Sequence, residues 1–244
     1  MALIWRRMTN ECIYEVRTAG ASVRLYTNGV LHSEYNHRKL ITGSVWDLLF
    51  VPTLYRTAGS LKKVAVMGLG GGAVIHMLKT AYPEIEITAI DIDSVHIGVC
   101  TKYFGLSAQN IRYVHADARD WLRSNRSKYD VIVDDLFGHV DGETRRAIDI
   151  DTSWMQMVKK SLKARGLFIA NFADAQELRK TSLQMKSKRL GFGYARRLYA
   201  QNCQNVIVVT GNDALDVSEL NSNRALITKL DKRFAKLSFR SIRV

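Results

Sequence analysis

The sequence predicts an α/β fold with a mostly parallel, seven-stranded sheet that closes in an antiparallel hairpin. Three observations favour it. From residue 61 onward, short apolar runs alternate with helix-like segments, which is typical of βαβ units. A glycine-rich turn at 68–72 joins the first run to the first helix-like segment. Near the C-terminus, the strand-like runs 194–200 and 206–210 are joined by only five residues, too few for a parallel crossover.

The elements follow from local signals in chain order. Residues 22–26 and 30–33 flank Asn28-Gly29, a dipeptide that favours a tight hairpin turn, and a helical stretch at 45–55 is broken by Pro52. The predicted strands then cover 63–67, 85–90, 111–115, 130–133 and 167–171, and the predicted helices 73–81, 95–104, 118–123, 154–162 and 174–190. Five parallel strands followed by an antiparallel hairpin are typical of class I methyltransferase-like Rossmann domains, whereas a dinucleotide dehydrogenase continues with parallel crossovers.

Length and composition limit the classes of protein. The 244 residues allow a large domain with a small appendage, which we place at 58–244, after an N-terminal β-rich segment at 1–57. Cys12, Cys100 and Cys203 stand far apart, which excludes a disulfide framework or zinc knuckle as the organising principle. No apolar run reaches the roughly 20 residues of a membrane span, and the N-terminus lacks a signal-peptide layout. A soluble cytoplasmic protein is expected.

The positive charge is concentrated in the last third of the chain. The net charge is +13, and residues 151–244 carry 18 lysines and arginines against 7 acids, in stretches such as 186–189 and 229–243. Solvated helix faces explain such a pattern, and contact with nucleic acid stays open, although no zinc-finger, RRM or KH signature accompanies the charge.

The turn Gly68-Leu69-Gly70-Gly71-Gly72-Ala73 lies between a strand and a helix. Glycines permit tight turning and close approach of a ligand to the main chain. Gly68, Gly70, Gly71 and Gly72 are therefore candidate ligand-binding residues, although the spacing of Gly68, Gly70 and Ala73 also satisfies the dinucleotide fingerprint of dehydrogenases.

Two further strand ends carry acids. Asp91 follows the next strand, 21 residues after Gly70, where a carboxylate binds the hydroxyls of an adenosine ribose; Asp93 is expected to cap the following helix. Asp117 could accept a hydrogen bond from the adenine amino group, with Ala118 leaving room for the ring, or could simply cap its helix. Because carboxyl ends of parallel strands share one crevice, these residues predict an adenosine site.

The fourth strand ends in Asp134 and Asp135, followed by a loop with further acids and His139. Neighbouring acids bind a cationic or amine substrate, and one acts as general base if burial raises its pKa. Both are candidate catalytic residues, and no metal is required.

Residues 61–172 resemble the spermidine synthase (polyamine aminopropyltransferase) family. The likeness rests on the glycine turn, Ile90-Asp91-Ile92-Asp93, His115-Ala116-Asp117-Ala118-Arg119 and the stretch from Tyr129 to Asp135. It implies a small N-terminal β-domain before a Rossmann domain. It also implies a donor site that includes Asp91, Ile92 and Asp117, with Asp135 as the base that deprotonates the attacking amine.

The sequence departs from the family on the polyamine side. Gly71 replaces the acid that holds the amine of the aminopropyl donor, Gly138 replaces a second acid beyond the base, and His32 replaces a glutamine. We therefore expect a transferase that uses S-adenosylmethionine or its decarboxylated form. Methyl transfer to a small nucleophile is the preferred hypothesis. Aminopropyl transfer to a diamine is the alternative.

Other classes stay open. A nicotinamide-dependent dehydrogenase and a non-catalytic nucleotide-binding protein are both compatible with the turn and Asp91. The acceptor is a small molecule, with an amine as one option, and a homodimer is a further option.

Overall fold

The computed structural model describes residues 1–107, 110–140, 143–181, 183 and 191–243. The N-terminal part is a four-stranded antiparallel sheet in the order β1-β2-β3-β4, with strands Ala2–Met8, Ile13–Ala19, Ser22–Thr27 and Val30–Asn36. Asn28 and Gly29 have φ angles of 51° and 80°, which confirms the predicted tight turn between β3 and β4.

Ten further strands follow, β5 to β14 in chain order: Lys63–Met67, Glu86–Asp91, Ile111–His115, Tyr129–Asp134, Phe137–Val140, Glu143–Arg146, Leu162–Phe172, Tyr194–Tyr199, Val206–Gly211 and Arg240–Arg243. Eight of them form one sheet in the order β14-β12-β13-β11-β8-β5-β6-β7, while β9 and β10 pair with each other. The strands β5, β6, β7, β8 and β11 are parallel, and β13 runs antiparallel between β11 and β12. The predicted topology is confirmed.

One detail of the sheet differs from the prediction. The sheet has eight strands and not seven, because β14 pairs antiparallel with β12. The terminal hairpin of β12 and β13 therefore does not form the edge of the sheet. In the four residues of β14, Arg240 and Arg243 flank Ser241 and Ile242, a pattern too short to distinguish a strand from a charged tail.

Seven α-helices are described, α1 to α7: Val45–Phe50, Ala73–Ala81, Ser94–Tyr103, Ala118–Ser124, Thr152–Ser161, Ala175–Arg179 and Val217–Leu230. The chain after α1 continues as a 3₁₀ helix with Pro52 in its first turn, as the proline predicts. The helix predicted at 174–190 is described only from Ala175 to Arg179. Most of the remainder, including the basic stretch 186–189, lies outside the described residues, and α7 was not predicted.

Apolar side chains fill both faces of the large sheet. Val64, Val66 and Val133 pack on one face with α1, α2 and α7, and Ala65 and Ile132 on the other with α4 and α5. Central strands covered on both faces read as continuous apolar runs, which is why β5 and β8 were predictable. Apolar side chains between Ile41 and Tyr55 belong to this core, so they pack with the large sheet although they precede the division proposed at residue 57.

A third cluster joins the N-terminal sheet to α3. It contains Tyr14, Val16 and Leu25 from β2 and β3, and Val95 and Val99 from α3. The small sheet is thereby held over the carboxyl end of β6. Within the described part of the chain, none of the helices is both long and apolar enough to cross a bilayer.

Candidate active site

A cleft of about 950 Å³ opens at the carboxyl ends of the parallel strands. The N-terminal sheet covers one side of it, and residues 203–205, in the turn between β12 and β13, line another part. Seven of the ten residues predicted for the site line this cleft: Gly68, Gly70, Asp91, Ile92, Asp117, Ala118 and Asp135. The arrangement agrees with the rule that ligands of open α/β sheets bind at this edge.

The glycines of the turn are required mainly by neighbouring protein atoms. A Cβ at Gly68 would lie 2.2 Å from the carbonyl oxygen of Asp135, and one at Gly70 would lie 2.6 Å from the carbonyl oxygen of His32. Both residues also have positive φ angles. The turn is thus held between β4 and the end of β8, and the ligand approach that the sequence suggested is not what demands glycine here.

Gly71 and Gly72 do not line the cleft. A Cβ at Gly71 would lie 2.7 Å from the Phe104 ring and from Cβ of Ser33, and one at Gly72 would lie 2.2 Å from Leu106. These two glycines face packed side chains, so the structure does not support their prediction as ligand contacts. The space in which the related family places an acid is filled at Gly71 by Phe104 and Ser33.

The Asp91 carboxylate organises the donor side of the cleft. Its Oδ2 accepts a hydrogen bond from the backbone of Leu69 over 2.7 Å, and its Oδ1 accepts one from the backbone of Asp93 over 2.8 Å. Burial opposes ionisation, but the nearby His96 side chain and the hydrogen bonds from these amides outweigh it and lower the pKa of Asp91. Asp91 is therefore an ionised acceptor that also anchors the glycine turn.

His96, which the sequence did not single out, connects Asp91 to the N-terminal sheet. Its Nδ1 lies 3.7 Å from Asp91 Oδ2, and its Nε2 lies 3.0 Å from Thr27 Oγ1. Burial lowers the pKa of His96, but the carboxylate of Asp91 raises it by more than burial lowers it, so the net change is upward. A helix N-cap Asp followed by a His three residues later was the available signal, but its contact with β3 spans 69 residues of sequence.

Asp93 and Asp117 both cap helices. Asp93 accepts from the backbone of Val95, as predicted, and also from the Tyr14 hydroxyl. Asp117 uses Oδ1 to accept from the backbones of Arg119 and Asp120. Capping therefore occupies only one of the Asp117 oxygens, and the other is compatible with a ligand in the cleft.

An apolar surface lies between these acids. The Ile92 side chain follows Asp91 and is 68% exposed, and it lines the cleft together with Ala116 and Ala118. An exposed isoleucine beside two small residues and two carboxylates suits a planar base attached to a ribose. The residues present therefore fit an adenosine-containing donor.

Asp134 does not reach the cleft. It is fully buried, its Oδ1 lies 2.6 Å from Nη2 of Arg146, and its Oδ2 accepts from Nε1 of Trp154 over 2.9 Å. Successive side chains of an extended segment point in opposite directions, so only one of the two neighbouring acids faces the ligand. The structure does not support the prediction of a catalytic Asp134 and gives it a structural contact instead.

Asp135 lines the cleft, and its environment suits proton transfer. Its pKa is raised to about 6, mainly because the group is buried and also because Asp134 is negatively charged. A hydrogen bond from Asn171 and the charge of Arg146 lower this pKa and so oppose part of the change. Nδ2 of Asn171 donates to Oδ1 over 2.7 Å. At neutral pH such a group is ionised and basic enough to receive a proton.

Two amides beside Asp135 were missed by sequence reasoning. Asn171 is buried near the end of β11, and Asn205 lies just before β13; Nδ2 of Asn205 donates to Oδ1 of Asn171 over 3.0 Å. Both line the cleft. The signal for Asn171 was its place at the end of the fifth predicted strand, whereas nothing local distinguished Asn205.

Known proteins resemble this chain in both sequence and fold. A methyltransferase domain family matches residues 64–166. A probable polyamine aminopropyl transferase of Bifidobacterium longum is 30% identical over 134 residues, which cover 54% of this chain and 28% of that protein. The eEF1A lysine and N-terminal methyltransferase homolog of Drosophila melanogaster is 29% identical over 128 residues, covering 49% and 19% of the two chains. The matched segment thus spans less than a third of either relative.

The fold comparison covers nearly the whole chain. The crystal structure of a probable spermidine synthase from Corynebacterium glutamicum has a TM-score of 0.73, over 94% of this chain and 87% of that one. The sequence identity is 15%, so this likeness concerns the fold alone. It confirms the predicted methyltransferase-like fold with an added N-terminal sheet.

Proposed function

We propose that this chain is a spermidine synthase-like member of the S-adenosylmethionine-dependent methyltransferase superfamily, and that it transfers an alkyl group from an S-adenosyl sulfonium donor to the nitrogen of an amine. One observation carries the proposal. Asp91, Ile92 and Asp117, which suit the adenosine half of the donor, line the same cleft as Asp135, whose pKa is near 6.

The residues have separate roles. The Asp91 carboxylate binds the ribose hydroxyls, the free oxygen of Asp117 accepts from the adenine amino group, and Ile92 covers one face of the ring. A lowered pKa keeps Asp91 ionised, as acceptance of two hydroxyl hydrogen bonds requires. These contacts place the sulfonium carbon, and positioning of this kind supplies most of the rate enhancement in a displacement reaction.

Asp135 acts on the acceptor. The nitrogen lone pair forms a bond to the carbon next to the sulfonium sulfur, and the carbon–sulfur bond breaks with its electron pair going to sulfur. Asp135 receives the proton that the nitrogen loses. A base with a pKa near the working pH is well matched to this task.

Aminopropyl transfer is the first candidate reaction. Most of the curated relatives are named as polyamine aminopropyltransferases, and this favours the alternative that the sequence offered over the methyl transfer expected first. Methyl transfer is the second candidate, and Gly71 favours it. The family's acid for the donor amine falls at this position, where Phe104 and Ser33 leave no space for a side chain.

The two reactions are separated by incubating the chain with a diamine such as putrescine and either decarboxylated or intact S-adenosylmethionine. Mass spectrometry then identifies the product. Aminopropyl transfer yields an aminopropylated amine and methylthioadenosine; methyl transfer yields a methylated amine and S-adenosylhomocysteine. Asp135→Asn is the control for non-enzymatic transfer. If neither donor binds in calorimetry and neither product forms with a panel of amines, the proposed function is wrong.

A further inference from the structure

The base candidate Asp135 is the end of a short chain of amides. Nδ2 of Asn171 donates to Asp135 Oδ1 over 2.7 Å, and Nδ2 of Asn205 donates to Asn171 Oδ1 over 3.0 Å. The three side chains come from the ends of β8 and β11 and from the turn before β13. The β11–β13 register, which pairs Asn171 with Ile207 and Phe172 with Val206, places Asn205 diagonally beside Asn171.

The ionised carboxylate of Asp135 determines which atom donates and which accepts at each hydrogen bond of this series. An ionised carboxylate only accepts hydrogen bonds, so Asn171 must present its NH₂ group to Asp135. The carbonyl of Asn171 then faces Asn205, which must in turn present its own NH₂ group. The orientation of both amides therefore follows from the charge of Asp135, and each amide supports that charge.

The main chain of Asn171 is also held in place. Arg146 donates from Nη1 to the carbonyl oxygen of Asn171 and forms an ion pair with Asp134. Asn171 is 3% exposed, so an unmatched amide at this position would be costly. In contrast Asn205 is half-buried at the cleft, where a substitution is tolerated more easily.

We infer that Asn205 is a positioning residue for Asp135: acting through Asn171, it keeps a hydrogen-bond donor on Oδ1 and leaves Oδ2 to receive the proton of the acceptor. This inference rests on the proposed function. Among the residues whose side chains are described, none donates a hydrogen bond to Oδ2 of Asp135.

The charged groups that act on Asp135 set the background for a test. Asp134 at the end of β8 and Asp91 at the end of β6 raise its pKa, and Arg146 of β10 lowers it. A variant of the amide chain that leaves these three groups in place isolates the contribution of Asn205.

Asn205→Asp is the decisive variant because it keeps the shape and removes the donor. With an acidic side chain at 205, either Asn171 turns its carbonyl toward Asp135, or one of the two carboxyl groups keeps its proton and donates it to Asn171. In both cases a carboxyl of the pair titrates at higher pH than Asp135 does in the original chain. Gln204→Glu is the matched control, since it adds the same charge one residue away without interrupting the amide chain.

The titration is followed by NMR of the full chain labelled with ¹³C at aspartate carboxyls, with Asp135→Asn identifying the signal. We expect Asn205→Asp to move the titration upward by about one pH unit beyond the change caused by Gln204→Glu. In an Asn171→Leu background the two substitutions should have equal effects. Equal effects in the original background would overturn the inference, because charge alone would then explain them.

This readout needs no turnover, so it separates the two claims. Absence of transfer with all donors contradicts the proposed function while the titration still tests the amide chain. Where turnover is measured, the acid limb of the kcat profile should shift in parallel with the NMR titration in Asn205→Asp. An unshifted acid limb would show that Asn205 does not act on the reaction.

Discussion

The α-carbon of Gly68 packs directly against the main-chain carbonyl of Asp135, leaving only 2.2 Å for a Cβ at that position. The backbone N–H of Asp135 also donates to the carbonyl of Met67, the preceding residue, over 2.9 Å. The glycine turn on the donor side of the cleft and the residue proposed to act on the acceptor are thus in contact through their main-chain atoms. A substitution in the turn is therefore expected to displace Asp135.

Gly68→Ala tests this junction. The φ angle of 83° strains an L-residue, and the backbone oxygen in the way cannot rotate aside. We expect a loss of at least about 2 kcal/mol in the free energy of unfolding, measured by urea denaturation. Gly98→Ala in α3 is the control, since it meets nothing within 4 Å and should stabilise the helix by about 0.5–1 kcal/mol. Equal effects of both substitutions would contradict the close packing at Gly68.

Asp91→Ala should abolish measurable donor binding. The substitution removes the acceptor proposed for the ribose and releases the backbone of Leu69 in the glycine turn. Charged hydrogen bonds of this kind contribute about 1.5–3 kcal/mol each, so calorimetry should show at least a 100-fold weaker affinity (~2.7 kcal/mol). Asp120→Ala is the control because the Asp120 side chain is 72% exposed and forms an exposed pair with Arg123. An unchanged affinity for Asp91→Ala would refute the assignment.

The rate of transfer should rise with pH through about 6. Burial places the pKa of Asp135 near this value, and the group must be deprotonated to receive the proton of the acceptor. Activity is therefore lost as the pH falls below about 6 and is retained above it. The kcat profile measures this limb. Asp135→Asn should lower kcat by about 10²–10⁴ and remove the inflection, whereas persistence of the inflection in that variant would assign it to another group.

Arg146→Met should destabilise the fold strongly. It leaves the fully buried Asp134 without its ion-pair partner, for which a loss of about 3–5 kcal/mol in the free energy of unfolding is expected. Asp134→Asn in the same chain should recover part of this loss. Arg123→Met provides the comparison, because the Arg123–Asp120 pair is exposed and such pairs contribute about 0–1 kcal/mol. Urea denaturation measures the free energy of unfolding of Arg146→Met, of Arg146→Met with Asp134→Asn, and of Arg123→Met. Similar losses at 123 and 146 would contradict the buried ion pair.

Much of the large sheet was predictable because its signals are local. The strand β5, the helix α2 and the strand β7 have the predicted bounds, since apolar runs, glycines and a following proline mark them in the sequence. The eighth strand and α7 were missed: β14 is four residues long, and the apolar face of α7 shows only a weak period among many polar residues.

The sequence alone determined the succession of the parallel strands along the chain and the strand ends at which the candidate ligand-binding acids lie, because periodicity and turn chemistry depend on neighbouring residues. The tertiary structure decided which acids face the cleft. Asp134 turns inward to Arg146 while Asp135 turns outward, and Gly71 is held by Phe104 and Ser33. It also decided the contacts of Asn205 with Asn171 and of His96 with Thr27. Those contacts join side chains 34 and 69 residues apart, and only the packing of one element on another creates them.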